Sequence, residues 1–194
     1  LSERLQLAMD RAGLKTRLYP RAADMKWSKL LTNLLANATS ALLDMTPMEI
    51  FADPRLYGLE IEQLRETLCV MRVLGIGVVD LPGTPIRLLA IAAKLPLALS
   101  RPLLARKVGG GRGGKMPSFH IDLRTGRGSS EVGHLNGAVA RHGESVGVPA
   151  PINAFLSRTL LSLTAGEMPQ DAFARKPEAL IEAAGARSRA ATLR

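Results

Sequence analysis

The spacing of the apolar residues constrains the fold of this chain more than any other feature, because from Asp24 onward it is helical almost throughout. Pairs that favour helix starts occur at Thr46-Pro47, Asp53-Pro54 and Thr84-Pro85. Asp24 is expected to cap a helix that runs to about Leu43. Residues 116–130 are predicted to be irregular, whereas residues 131–147 and 152–167 return to helical spacing. The main body, residues 24–167, is therefore predicted to be an all-α helical bundle.

The two ends of the chain differ from this body. Residues 2–14 have the pattern of a helix closed by Gly13, and residues 15–19, Lys-Thr-Arg-Leu-Tyr, alternate like a short strand. A helix and a strand do not make a domain, so residues 1–23 are interpreted as the C-terminal edge of an α/β unit whose body lies upstream. The tail, residues 168–194, is rich in alanine and arginine and is predicted to be a last helix that frays into disorder.

Composition limits the function classes. The excess of 26 Lys plus Arg over 17 Asp plus Glu gives a net charge of +9, which favours anionic partners. The single cysteine, Cys69, excludes a disulfide framework and favours a reducing compartment such as the cytoplasm. Since charges interrupt the most hydrophobic stretch, no run of about 18 apolar residues exists, and no membrane partner is expected.

One predicted helix, residues 29–43, has an unusual polar face. Projected at 100° per residue, Lys29, Asn33 and Asn37 fall opposite the leucine face. Asparagine is a poor helix former, and two cost about 1 kcal/mol relative to alanine. Such an uncharged amide face suits a cleft that binds a small polar ligand, where a lysine can donate a proton. A helix–helix contact with the amides bonded to backbone is the commoner reason for such a pattern.

Other motifs carry less. Residues 109–114, Gly-Gly-Gly-Arg-Gly-Gly, contain the spacing of a dinucleotide fingerprint but lack a preceding buried strand and a following helix. Residues 101–127 hold seven Lys or Arg and one acid, which describes either a solvated basic loop or an anion-binding segment. Nucleic acid is a disfavoured partner, since neither a recognition fold nor stacking aromatics accompany it. The histidines, His120, His134 and His142, lack metal-ligand spacing, so no metal site is predicted.

Two ordered motifs resemble the C-terminal domain of the ketopantoate reductase family, the 2-dehydropantoate 2-reductases, and the likeness covers about residues 1–166. The first motif is Trp-x-Lys-Leu followed by two asparagines: Trp27, Lys29, Leu30, Asn33 and Asn37. The second begins with serine and ends at Pro-x-x-x-Asn: Ser118, Asp122, Gly126, Arg127, Glu131, Asn136, Gly137, Pro149 and Asn153. The resemblance implies a helical domain of the ketopantoate reductase and 6-phosphogluconate dehydrogenase type. It also implies that residues 1–23 end an N-terminal dinucleotide-binding domain.

The resemblance further implies an activity and residue roles. Family members transfer hydride from NADPH to the C2 carbonyl of a 2-keto acid, a step of pantothenate and coenzyme A biosynthesis. By position, Lys29 would be the general acid and Glu131 its catalytic partner. Substrate binding would fall to Asn33, Asn37 and Ser118. The cofactor would be NADPH, bound through the N-terminal domain, so this chain alone is expected to be inactive.

Departures from the family pattern lie beside these residues. Ser-Ser-Glu replaces the common Thr-Glu at Glu131, and Gly133 stands where an acid is usual. These changes bear on the identity of the substrate more than on the reaction. Two other classes stay open: a non-catalytic helical interaction module, and a basic module that binds anions or nucleic acid. A homodimer is a further expectation.

Overall fold

The computed structural model describes residues 2–14, 16–102, 104, 115–126 and 130–192, with side chains up to residue 186. Its helices are α1 (Ser2–Arg11), α2 (Ala22–Leu34), α3 (Asn37–Leu43), α4 (Pro47–Ala52), α5 (Pro54–Val73), α6 (Ile86–Lys94), α7 (97–102), α8 (Ser118–Arg124), α9 (Asn136–Ser145), α10 (Pro151–Thr164) and α11 (Pro177–Thr192). A 3-10 turn, Glu131–Gly133, precedes α9. The described residues form no strand beyond one isolated bridge, Leu81 to Thr84. The all-α prediction is therefore confirmed.

The proline-marked helix starts lie close to where they were predicted. Thr46 caps α4 in a capping box with Glu49, and the Asp53 carboxylate accepts from the first amides of α5. Both arrangements satisfy backbone donors that a helix start leaves unpaired. Asp24 does not have the predicted capping role, because α2 begins earlier, at Ala22, and the Asp24 carboxylate instead accepts from Gly77 N at 2.9 Å.

Two predicted elements are wrong. Residues 16–19 form no strand, because no neighbouring strand pairs with them; instead the Tyr19 hydroxyl donates to Asp80 O at 2.9 Å. Lys15 lies outside the described residues. The stretch predicted to be irregular contains α8, whose residues Phe119 and Leu123 lie four apart and are both buried. Pro117 and Gly126, residue types that usually mark loops, lie on either side of this short helix, so the sequence pattern predicted a loop there.

The predicted helix from Asp24 to Leu43 is in fact two helices. Ala36 has φ +51°, a left-handed conformation that interrupts the helix and costs an alanine about 1 kcal/mol. A buried carboxylate, Glu60 of α5, offsets this cost: it accepts from Ala36 N at 2.7 Å and from the Thr39 hydroxyl at 2.6 Å. The break thus depends on the contact between Ala36 and Glu60, which lie 24 positions apart in the chain. Helical periodicity carries no information about such a contact.

Helix α5 lies at the centre of the bundle and contacts α2, α4, α6, α9, α10 and α11. All seven residues of α3 are buried. A polar network on α5 joins the later helices. Asn136 of α9 donates to Gln63 Oε1 and to Asn153 Oδ1, both at 3.0 Å, and Asn153 of α10 donates to Glu66 Oε2 at 2.7 Å. Two asparagines of the second motif therefore have core positions.

Within the described residues, no helix combines the length and the apolar character that crossing a membrane requires. The C-terminal helix α11 contacts α5 and α10, and its Leu180 and Ala184 are buried.

Gly143 tests the packing at the end of α9. A Cβ there would lie 2.4 Å from Val148 O, a backbone atom that cannot rotate away. We expect Gly143→Ala to lower the free energy of unfolding by about 2–4 kcal/mol, measured by urea denaturation. Gly133→Ala is the matched control, because nothing lies within 4 Å of its Cβ position; equal losses for the two variants would contradict this account.

Glu66 gives the fold a pH dependence. Burial raises the pKa of Glu66 to about 7, although Ile152 N, Asn153 N and Asn153 Nδ2 donate to its carboxylate. Between about pH 4.5 and 7 the folded state keeps a proton that the unfolded state loses, so this contribution to stability falls as pH rises through that window, by up to about 3 kcal/mol.

The free energy of unfolding of the wild-type protein should fall as the pH rises from about 5 to about 7, the range in which Glu66 titrates. We expect Glu66→Gln to make this dependence on pH smaller. Urea denaturation at a series of pH values measures it. Glu62→Gln, one turn earlier on α5 and exposed, should keep most of the slope. An unchanged slope in Glu66→Gln would contradict the shifted pKa.

Candidate active site

A cleft of about 370 Å³ lies where the break between α2 and α3 faces α8 and the turn before α9. Its lining combines two amides, a hydroxyl, a carboxylate and an ammonium group with a few apolar side chains. The lining residues are Asn33, Asn37, Lys115, Met116, Pro117, Ser118, Glu131 and Leu135. Four of the five residues proposed from the sequence thus line one cleft, although up to 98 positions separate them along the chain.

The asparagine pair is built by the helix break. Asn33 lies at the end of α2, and Asn37 is the first residue of α3. The Asn37 amide nitrogen donates to Asn33 O at 3.1 Å, so both residues stay at the same cleft although their helices are separate. The two amides therefore share a site for a different reason from the continuous helix face that the sequence predicted.

Asn37 also positions Ser118. Its Oδ1 accepts from Phe119 N at 3.1 Å, and its Nδ2 lies 3.5 Å from Ser118 Oγ. Pro117, at the N-cap position of α8, provides no side-chain cap, so Asn37 caps α8 from another part of the chain. The opposite end of α3 is also fixed to α8, since the Asp44 carboxylate contacts His120 at 2.7 Å and Arg124 at 3.3 Å. The hydrogen bond with His120 holds the pKa of Asp44 below its usual value.

Glu131 is exposed at the start of the 3-10 turn, where Ser130 Oγ accepts from Val132 N at 3.3 Å. Behind it, Gly137 permits the close approach of α9 and α10, because a Cβ there would lie 2.9 Å from Ser157 Oγ. Arg127 of the second motif lies outside the described residues, as do residues 109–114.

Lys29 is the exception among the predicted site residues. It lies on α2 one turn before Asn33, its side chain is exposed, and it is not among the residues that line the cleft. Its backbone carbonyl accepts from the Thr32 hydroxyl at 2.7 Å. In the described part of the chain no ion pair joins Lys29 to Glu131. Its role as a general acid stays a prediction.

The sequence analysis did not single out Lys115. Among the residues that the structure describes, it is the one cation that lines this cleft, and it lies three positions before Ser118. The signal that could have found it is its position just before the motif serine, inside the basic segment of residues 101–127. No group of three or more potential metal ligands comes together in the described residues.

Comparison with known proteins places the chain in a family. Residues 21–163 match the model of the ketopantoate reductase PanE/ApbA C-terminal domain, and the chain belongs to that family. It is 30% identical over 149 residues to the 2-dehydropantoate 2-reductase of Pyrobaculum aerophilum, an alignment that covers 76% of this chain and 46% of that protein. This chain thus spans about half the length of that relative.

Solved structures show the same fold. A PanE/ApbA family ketopantoate reductase from Ralstonia eutropha JMP134 matches with a TM-score of 0.67 at 21% identity, covering 85% of this chain and 49% of that one. D-mandelate dehydrogenase, solved with NADH and anilino(oxo)acetate, matches with a TM-score of 0.63 at 18% identity, over 85% of this chain and 81% of that one. The relatives with named activities are oxidoreductases.

The two asparagines of the cleft should differ in their effect on stability. Asn37→Ala removes the cap of Phe119 N, so we expect the free energy of unfolding to fall by about 1–2 kcal/mol. Asn33→Ala is the matched control, because its side chain lines the same cleft and has no hydrogen bond to another described residue. Urea denaturation should show a change within about 0.5 kcal/mol for it; a larger loss than for Asn37→Ala would contradict the capping role.

Proposed function

We propose that this chain is the substrate-binding helical half of an NADPH-dependent 2-keto acid reductase that resembles ketopantoate reductase. The observation that supports this most is the single cleft lined by Asn33, Asn37, Ser118 and Glu131. These are the residues that the family resemblance selects, and two stretches about 80 residues apart supply them. Family membership of residues 21–163 supports the same conclusion.

The cleft has the groups that a 2-keto acid requires. A substrate carboxylate would bind between the Ser118 hydroxyl and the Lys115 ammonium, which is the positive charge that the described part of the lining provides. Glu131 would repel that carboxylate and therefore accept a hydrogen bond from a hydroxyl at the other end of the substrate. The amides of Asn33 and Asn37 can donate to the carbonyl oxygen between them.

Lys29 would supply the proton. Reduction of a ketone places negative charge on its oxygen, and a nearby ammonium stabilises that charge more in the transition state than in the ground state. Lys29 lies one turn before Asn33 and carries a flexible four-carbon side chain that is exposed. In this proposal its ammonium approaches the substrate oxygen beside the two amides and donates to it.

NADPH would supply the hydride. The described residues include no strand followed by a glycine-rich turn and a helix, the usual cradle for a dinucleotide pyrophosphate. We therefore assign cofactor binding to a separate N-terminal domain, of which residues 1–23 form the last part, and we expect the 194-residue chain alone not to catalyse the reaction. The proposed substrate is ketopantoate, reduced to pantoate in pantothenate and coenzyme A biosynthesis.

Lys29→Met tests the proton donor. In a full-length reductase containing this chain, we expect kcat for NADPH-dependent reduction of a 2-keto acid to fall on the order of 10²- to 10⁴-fold, the usual contribution of a general acid. The decrease in NADPH absorbance measures it.

Lys26→Met is the matched control, since Lys26 is exposed on the same helix and carries the same charge. Its kcat should change less than about twofold. Unchanged turnover in Lys29→Met would overturn the assigned role, and equal losses for both variants would indicate a general charge effect.

Lys115→Gln tests the contact with the substrate carboxylate. A raised KM at constant kcat in this variant would support that contact.

A further inference from the structure

Helices α6 and α7 expose apolar side chains that the bundle does not use. Leu88 is 56% exposed, Ile91 57% and Leu99 59%. On α6 the core face is formed by other residues, including the fully buried Ile86 and Ala93. Helix α6 is therefore apolar on two sides, and only one of them packs against the protein.

Cations accompany these apolar side chains. Arg87 and Lys94 are exposed on α6, and Leu97 adds a 37% exposed side chain on α7. Leu88 and Ile91 lie three positions apart on one side of α6, and Lys94 continues the same row. We name this set the α6–α7 surface: Arg87, Leu88, Ile91, Lys94, Leu97 and Leu99.

The charge of the chain is concentrated in this part of the sequence. From residue 81 to residue 121 there are seven Lys or Arg and no Asp or Glu. Removing these seven from the 26 Lys plus Arg of the whole chain leaves 19, against 17 Asp plus Glu. The net positive charge of the protein thus belongs almost entirely to the segment that carries the exposed leucines.

A basic groove adjoins the surface at Lys94. It has a volume of about 640 Å³, and the described residues that line it include Arg21, Arg65, Arg72 and Lys94 but no acid. Arg65 donates to Ala93 O and Leu95 O and pairs with the Glu62 carboxylate at 2.6 Å, and Arg21 donates to Gly75 O and lies 3.8 Å from the Asp24 carboxylate. Arg72 contacts only Cys69 Sγ, at 3.5 Å, among the described hydrogen bonds. Among the described residues, Arg72 and Lys94 are the lining cations for which no ion pair is found, and the groove is large enough for a phosphate-bearing group.

Three kinds of partner differ in how they fit an apolar and cationic surface. A second copy of this surface would oppose its own like charges. A nucleic acid would meet exposed leucine and isoleucine where stacking aromatics are expected. An anionic lipid surface satisfies both components, since acyl chains bury the apolar side chains and phosphate headgroups pair with the cations.

We propose that the α6–α7 surface binds peripherally to membranes that contain anionic phospholipid. The expectation of no membrane partner rested on the lack of a spanning segment, and an amphipathic helix that lies in the lipid interface needs none. This surface is distinct from the cleft, none of whose lining residues belongs to it. Membrane binding is therefore independent of the proposed reductase activity.

Vesicle co-sedimentation of the full-length protein that contains this chain tests the proposal. We expect binding to mixed phosphatidylcholine–phosphatidylglycerol vesicles at least about tenfold tighter than to phosphatidylcholine alone, and weaker binding as salt rises. Equal binding to the two kinds of vesicle, or none to either, would overturn it.

Paired variants separate the two components of the surface. Leu88→Gln with Ile91→Gln, and Arg87→Gln with Lys94→Gln, should each weaken vesicle binding about tenfold or more. Arg158→Gln with Leu161→Gln on α10 is the matched control, because it removes an exposed cation and an exposed apolar side chain elsewhere and should leave binding unchanged. Equal losses in the control would overturn the assignment.

Two further measurements identify a different partner. Sedimentation velocity that shows a dimer of this chain, lost in Leu88→Gln with Ile91→Gln, would replace the proposal with self-association. Binding to duplex DNA that exceeds vesicle binding and survives the same variant would replace it with nucleic acid. A monomer that binds anionic vesicles and not DNA supports the proposal.

Discussion

The buried carboxylate of Glu60 is the constraint on which the candidate site depends. It holds Ala36 in a left-handed conformation and pairs with Thr39, which stops α2 and starts α3. Without that break, Asn37 could not both stay beside Asn33 and cap α8 through Phe119 N. The cleft therefore exists because a buried carboxyl group in the core ends a helix that its own sequence would continue. A buried carboxylate is costly unless its oxygens are well bonded, and here several donors converge on it.

The later helices depend on a second polar network. Gln63 and Glu66, one turn further along α5, hold Asn136 and Asn153 at the starts of α9 and α10. These contacts fix the orientation of the turn that carries Glu131. One long helix thus positions both sides of the cleft: Glu60 through the α2–α3 break, and Gln63 through α9. The second motif therefore includes residues that do not line the cleft. Asn136 and Gly137 are two of these, and they hold the backbone at the start of α9 in place.

Helix content and most helix starts could be predicted, because proline and capping side chains act within a few residues of where they stand. The strand predicted for residues 15–19 is absent from residues 16–19, and α8 occupies part of the segment predicted to be irregular. Both differences have one reason: distant partners decide whether each element forms, a neighbouring strand in the first case and Asn37 in the second. Family resemblance selected the residues that line the cleft, Lys29 excepted, whereas pattern alone left the amide face open between a ligand site and a helix contact. In the structure both alternatives apply to Asn37: its side chain lines the cleft, and it also forms hydrogen bonds with the backbone at Asn33 O and Phe119 N.

The sequence by itself determined that this chain is helical, basic and related to the ketopantoate reductases, because periodicity, charge and motif order are properties of the linear chain. Only the tertiary structure decided that α2 ends before Ala36, that Lys115 joins the cleft and that the leucines of α6 and α7 remain exposed. Each of these depends on which side chains meet across the bundle. That is set by burial and by hydrogen bonds between residues far apart in the sequence, which no local pattern specifies.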